Sequence, residues 1–235
     1  NQLGLRSNPK QIASIICNEF GIPISQQTIY RYIWEDRNNG GKLYKYLRRK
    51  SKKIRHKSKL VKVRINNKKS IDLRLKRIVL MMTAGHWEVD TIFGLDQKSF
   101  LLTMVDIATM YTIIVKLPNK EAATIEAAIN SVIASSLLPF LSITSDNGTE
   151  FANHENISAK NNIDWFFCHP YCSGERGLNE NTNGLIRDFY PKRTDFRLVP
   201  DEDIKEVQNI LNTRPRERIG FIRPAHAMVT HLMAA

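Results

Sequence analysis

Ile143-Thr144-Ser145-Asp146-Asn147-Gly148-Thr149-Glu150-Phe151 decides how this chain is read, together with residues 166–187, FFCHPYCSGERGLNENTNGLIR. A short apolar run ending in Asp-Asn-Gly places Asp146 at a strand-to-turn junction. Glu180 lies in a polar run with helical periodicity, and 33 residues separate it from Asp146. Upstream, residues 86–94, HWEVDTIFG, carry a third carboxylate, Asp90, in the middle of an alternating strand. Taken singly, two of these acids are ordinary. Asp-Asn-Gly is a common turn, and a glutamate on a polar helix face is usually solvated. Asp90 differs, because a charge in an apolar strand needs a partner. Glu88 is expected on the opposite face of the strand from Asp90, and Asp106 and Glu175 are competing acids.

Working outward, Trp87–Phe93, Phe100–Asp106 and Tyr111–Leu117 read as three strands, Glu121–Leu138 as a helix, and Leu141–Thr144 and Ile163–Phe167 as two further strands. Gly174–Tyr190 and Asp201–Leu211 read as helices. Three adjacent antiparallel strands, then a helix, then a strand, helix and strand with a final helix, is the element order of the ribonuclease H-like fold. The expected class is therefore α/β, with a mixed five-stranded sheet flanked by helices. In such a frame Asp90, Asp146 and Glu180 come from separate elements and can share one metal site. Mg²⁺ prefers hard carboxylate oxygens and keeps several waters. Ions held this way activate one oxygen and neutralise another in phosphodiester transfer. Three clustered carboxylates repel one another, so the site needs a cation or raised pKa values. Asn183 shares the helix face of Glu180 and could orient DNA or a metal-bound water; Arg176 and Arg187 are candidate phosphate contacts.

The front of the chain is different. Asn8 and Pro9 suit a helix start, with Ile12, Ile15, Ile16 and Phe20 as an apolar stripe. Gly21-Ile22-Pro23 breaks it, and Ser25 caps a second helix that turns Ile29 and Ile33, with Tyr30 and Trp34, toward the first. The pair reads as a helix-turn-helix or a plain helical hairpin. In the former case Gln26, Gln27, Thr28 and Arg31 are offered to DNA. Residues 42–77 hold 17 of the 35 Lys and Arg and one of the 23 acids, Asp72, so this tract is +16 and the remainder −4. Such a segment releases counterions from a polyanion, which points to nucleic acid; Arg48, Arg49 and Lys50 are its candidate contacts. The expected division is a helix-turn-helix module over residues 1–41, a basic linker over 42–84 that orders on DNA, and a catalytic domain over 85–235.

Several classes are set aside. No apolar run approaches a membrane span, and the start NQLGLRSNPK has no secretory h-region. Three cysteines fit reduced thiols in a cytoplasmic protein. Cys168, His169 and Cys172 with His154 lack a proper second ligand pair for zinc. The chain does not begin with Met, and a fragment of a longer protein is expected.

From residue 85 onward the chain resembles the DDE transposases of bacterial insertion sequences, the IS-thirty group. The resemblance is carried by Gly85-His86-Trp87-Glu88 with Asp90, by the Leu-Thr-Met-Val-Asp run ending at Asp106 with Tyr111-Thr112 and Lys116-Leu117-Pro118, and by Thr144, Asp146-Asn147-Gly148 and Glu150-Phe151. It continues through Pro170-Tyr171, Ser173, Arg176-Gly177, Asn179–Leu185, Leu211-Asn212 and Arg214-Pro215-Arg216, while Thr28–Ile33 matches the helix-turn-helix. The resemblance implies a ribonuclease H-like core, Asp90, Asp146 and Glu180 as metal ligands, and Mg²⁺ dependence with Mn²⁺ as a substitute. It further implies action on double-stranded DNA, at terminal inverted repeats and a target, by a dimer or larger assembly at the nucleoid. Val89, Gly174-Glu175 and His226 depart from the pattern, and Glu175 adds negative charge near the site. A stand-alone nuclease of the same fold and a non-catalytic DNA-binding regulator with a relict core are the rival readings.

Overall fold

A computed structural model of the chain describes residues 7–47, 65–74, 81–170 and 172–234. The chain divides into two compact units, Asn1–Leu60 with Thr213–Arg223, and Val61–Asn212 with Pro224–Ala235.

In the first unit, α1 (Pro9–Phe20) begins in a capping box. Asn8 accepts from the Gln11 amide, and Gln11 accepts in return from the Asn8 amide, both at 2.9 Å. Gly21 ends the helix in the left-handed region, where glycine carries no Cβ penalty. α2 (Gln26–Asn38) starts on Ser25, which accepts from the Thr28 amide. Ile12, Ile29 and Ile33 form the small core, with Ile16, Leu43 and Tyr44 against it. The apolar stripe is narrower than expected. Phe20 is 68% exposed, and Tyr30 and Trp34 stand on the outer side of α2, where Arg37 stacks over Trp34 and Tyr44. The segment 213–223 belongs to this unit. Pro215 accepts from the Gln11 side chain, Arg223 pairs with Glu19, and Lys10 meets Glu217. The expected contiguous domain 85–235 is thus interrupted by a stretch that folds with the N-terminal helices.

The second unit is built on five strands, β1 (His86–Phe93), β2 (Phe100–Asp106), β3 (Thr112–Leu117), β4 (Ser142–Ser145) and β5 (Asp164–Phe167). Their order is β3-β2-β1-β4-β5; β1, β2 and β3 are antiparallel, and β4 and β5 run parallel to β1. This is the ribonuclease H-like arrangement. Between and after the strands come α3 (Ala122–Ser135), α4 (His154–Asn161), α5 (Gly177–Phe189), α6 (Asp201–Thr213) and α7 (Pro224–Ala234). One sheet face packs Trp87, Val89, Leu102, Met104 and Ile143 against Ile125 and Ile129 of α3, Ile157 of α4 and Met228 of α7. The other packs Ile92, Leu101 and Ile114 against Leu185 and Ile186 of α5 and Ile204, Val207 and Leu211 of α6. Each such side chain removed from water contributes about 1.5–3 kcal/mol before entropy is counted.

Two results alter the sequence reading. α7 was not expected, and α4 takes the place of the helix between β4 and β5 for which no residues were assigned; both carry weak periodic signals. Part of the basic linker is docked on the sheet edge. Ser70 bridges Phe167 of β5 in parallel fashion, the Phe167 amide donates to the Lys69 carbonyl, and Lys69 pairs with Asp164 at 2.7 Å. Backbone pairing at an open edge fixes this stretch without any nucleic acid.

Candidate active site

The side-chain period of two decides which residues of β1 reach the site. Trp87 and Val89 enter the α3 layer, while Ile92 enters the α5 layer, and Asp90 shares the parity of Ile92. Glu88 shares it too. The expectation that Glu88 points away from Asp90 is therefore corrected: positions two apart lie on one face. Glu88 is fully buried and accepts from the Asn179 amide at 3.3 Å, in the first turn of α5, where the helix dipole favours a negative charge. Sequence reasoning named this acid but put it on the wrong face, although strand parity alone places it beside Asp90.

Glu88 is level with Thr144 in the parallel β1–β4 register, so two residues further on Asp90 and Asp146 stand side by side at the strand ends. Asp146 opens its turn by accepting from the Gly148 amide at 2.9 Å. Asn147 holds that turn from both sides, donating to the Cys168 carbonyl and accepting from Lys68 of the docked linker, each at 2.6 Å. Gly148 is required for a packing reason. A Cβ there would lie 2.3 Å from the Glu150 carboxylate, which is folded beneath the turn, accepts from Thr91 at 3.1 Å and pairs with Lys120 at 2.9 Å.

α5 supplies the other wall. Asn183 donates to Asp90 Oδ2 at 2.8 Å, and its own carbonyl oxygen accepts from Thr103 at 2.9 Å. Thr103 is the β2 residue opposite Asp90, so the hydroxyl turns the amide with its NH₂ toward the carboxylate. Arg176, just before α5, closes the group. Its Nη1 donates to the Val89 carbonyl at 2.9 Å and lies 3.4 Å from Asp90 Oδ1, and its Nη2 donates to Asp146 Oδ2 at 3.2 Å. Burial pushes the Asp90 pKa above the usual carboxylate range; Arg176 opposes this and the neighbouring Asp146 adds to it.

Glu180 is exposed on the first turn of α5 and does not join the pair. Among the described residues no group of three or more His, Cys, Asp or Glu is placed to hold a metal. With one guanidinium shared by two carboxylates, like-charge repulsion works against a third anion at this pair. The other competing acids have structural work. Asp106 accepts from the Gly85 and Thr109 amides and the Thr109 hydroxyl. Glu175 is held by His169 at 2.7 Å, and His169 reaches Asp72 at 3.0 Å, so the Glu175 carboxylate is tied to the imidazole. The Cys168 thiol is pushed up to about 12 by burial, which does not suit a zinc thiolate.

The integrase core domain family matches residues 82–173. A transposase for insertion sequence element IS4351 from Bacteroides fragilis is 42% identical over 219 residues, covering 92% of this chain and 67% of the relative. The chain belongs to the DDE transposases of the IS-thirty group. Transposase InsI for insertion sequence element IS30A from Escherichia coli (strain K12) is 31% identical over 237 residues, covering 95% of this chain and 61% of that protein. The chain thus spans roughly two thirds of the length of these two curated relatives. The catalytic core of BIV integrase is 18% identical, covers 63% of this chain and 96% of its own, and superposes with a TM-score of 0.49.

Proteins of this integrase-like DDE fold generally use divalent metal ions. The donor set of this transposase fits one: Asp90 and Asp146 turn hard oxygens toward a single positive centre, and both carboxylates remain partly open to solvent. Of the DNA-facing candidates, Gln26, Gln27 and Arg31 are exposed on α2, while Thr28 is half-buried and bonded to Ser25 at 2.9 Å. Arg48, Arg49 and Lys50 lie outside the described residues. Asn183 and Arg176 are turned to the acids, and Arg187 donates to the Phe93 carbonyl. No helix among the described residues is long and apolar enough to cross a membrane.

Proposed function

We propose that this transposase cleaves the phosphodiester at the ends of an insertion sequence and joins the freed 3′-OH to target DNA, with Asp90, Asp146 and Glu180 as the ligands of Mg²⁺. The observation that carries this reading is the convergence of Asp90 and Asp146 on one cation at the adjacent ends of parallel strands. Bound there, Mg²⁺ supplies charge neutralisation and a more acidic water. The protein's own contribution is positioning. Asn183 fixes the Asp90 carboxylate and the Asn147–Gly148 turn fixes Asp146. Glu180 stands one turn before Asn183, where a bound cation would offset the repulsion that keeps it apart. Gln26, Gln27, Thr28 and Arg31 of α2, with the basic tract from Lys42, read the terminal inverted repeats. Two ends brought together require a dimer or larger assembly, working on double-stranded DNA in the bacterial cytoplasm at the nucleoid.

The test is cleavage and strand transfer of a labelled inverted-repeat duplex with Mg²⁺ or Mn²⁺. Asp146→Asn and Glu180→Gln are expected to abolish both products while leaving duplex binding intact. Variants that cut like the parent would remove these residues from the site. Cleavage without joining would indicate a nuclease, and binding without any product a regulator.

A further inference from the structure

We propose that Arg176 is a resident cation of the acidic site, occupying the position of the metal ion and exchanging with it. The inference rests on the reading of Asp90 and Asp146 as ligands and goes beyond it by assigning a competitor for the same oxygens. Arg176 is 12% exposed, and its two terminal nitrogens lie against Asp90 Oδ1 and Asp146 Oδ2 at 3.4 and 3.2 Å. A cation held by these carboxylates would compete with the guanidinium for the same oxygen lone pairs. Charge leads to the same conclusion. Two carboxylates at adjacent strand ends, one of them largely buried, need a positive partner, and among the described residues Arg176 is the ion-pair partner they share.

The arginine is also placed to move. It belongs to the short 3-10 turn Ser173–Arg176, ahead of α5, and not to the sheet. A Cβ added at Gly174 or Gly177 would meet nothing within 4 Å, so there is open space beside the chain on both sides of the arginine. One hydrogen bond besides the acids holds the guanidinium, to the Val89 carbonyl. On release, its planar donor fork suits a phosphate, the role the sequence suggested for it: a side chain spent on the acids in one state is free for DNA in the other.

The experiment is a calorimetric Mn²⁺ titration of the full chain without DNA. Arg176→Gln, which keeps a donor but loses the charge, is expected to bind Mn²⁺ about tenfold more tightly than the parent, because no cation has to be displaced. Its thermal midpoint in chelator is expected to fall, and the gain on adding Mn²⁺ to exceed that of the parent. Unchanged or weaker binding by Arg176→Gln overturns the exchange. Should Arg176→Gln fail to fold, arginine side-chain NMR of the parent decides: the Arg176 guanidinium protons are expected to lose their protection as Mg²⁺ is added, and protection retained at saturation overturns the proposal. Asp146→Asn separates the two readings. If it binds Mn²⁺ like the parent, the metal site itself is misassigned; if it loses binding while Arg176→Gln does not gain, only the exchange fails.

Discussion

Replacing Asn183 with alanine isolates the positioning of Asp90. The side chain spends its donor on Asp90 Oδ2 at 2.8 Å and its acceptor on Thr103 at 2.9 Å. A hydrogen bond to an ionised group contributes about 1.5–3 kcal/mol. Because Asp90 is partly solvated, the lower end applies, and about 1.5 kcal/mol corresponds to a roughly tenfold loss of cleavage rate. The fold should tolerate the change, since alanine is the better helix former and Asn183 is only half-buried. The pH dependence follows from the same bond. The Asp90 pKa is already raised by burial, and donation from Asn183 favours the ionised form. Its loss moves the pKa of the metal-free site further up, so at subsaturating Mg²⁺, where protons compete with the ion for Asp90, the acid limb of cleavage moves to higher pH and the defect shrinks as pH rises. The assay is single-turnover cleavage of an end duplex between pH 5.5 and 8.5, alongside a thermal melt. An unshifted acid limb together with an unchanged rate would refute the positioning argument. A large fall in melting temperature would show instead that Asn183 holds the fold.

Further consequences concern the surrounding frame. Gly148→Ala drives a Cβ against the Glu150 carboxylate, which Thr91 and Lys120 hold in place, and should cost about 1–3 kcal/mol in denaturant unfolding; an unchanged midpoint would mean that Glu150 moves freely. Trp87→Ala removes a fully buried ring stacked on Phe140 at 4.9 Å and bonded to the Pro139 carbonyl, and a loss of about 3–5 kcal/mol is expected by the same measurement. The His169 pKa is raised, first by its bond to Glu175 and then by Asp72. That stabilisation is fully present below the ordinary histidine pKa and is lost as pH rises through the raised one. His169→Gln should therefore lower the melting temperature at pH 5.5 and leave it unchanged at pH 9; a difference of equal size at both pH values contradicts the pairing.

Much of this was legible in the residues because it depends on neighbours. Helix starts at Asn8 and Ser25, the alternating strand at residues 86–93 and the turn at Asp146 are set by side chains within four positions of one another, and caps, pleats and turns act over that range. The ribonuclease H-like order followed from these elements, and two of the three acids meet where that order places them. The residues of α4 went unassigned and α7 escaped notice because their apolar faces are short and they rest on a core built elsewhere.

The sequence by itself determined the fold and most of its elements, and pointed to the acids worth attention. It left open which charges face one another. Arg176 between Asp90 and Asp146, Asn183 on Asp90, the docked stretch around Ser70 and the grouping of 213–223 with α1 all join residues some 30 to 200 positions apart. No local propensity encodes such contacts. They depend on strand register, on the side from which α5 approaches the sheet, and on the requirement that a partly buried carboxylate find a positive partner in whatever the completed fold brings within reach.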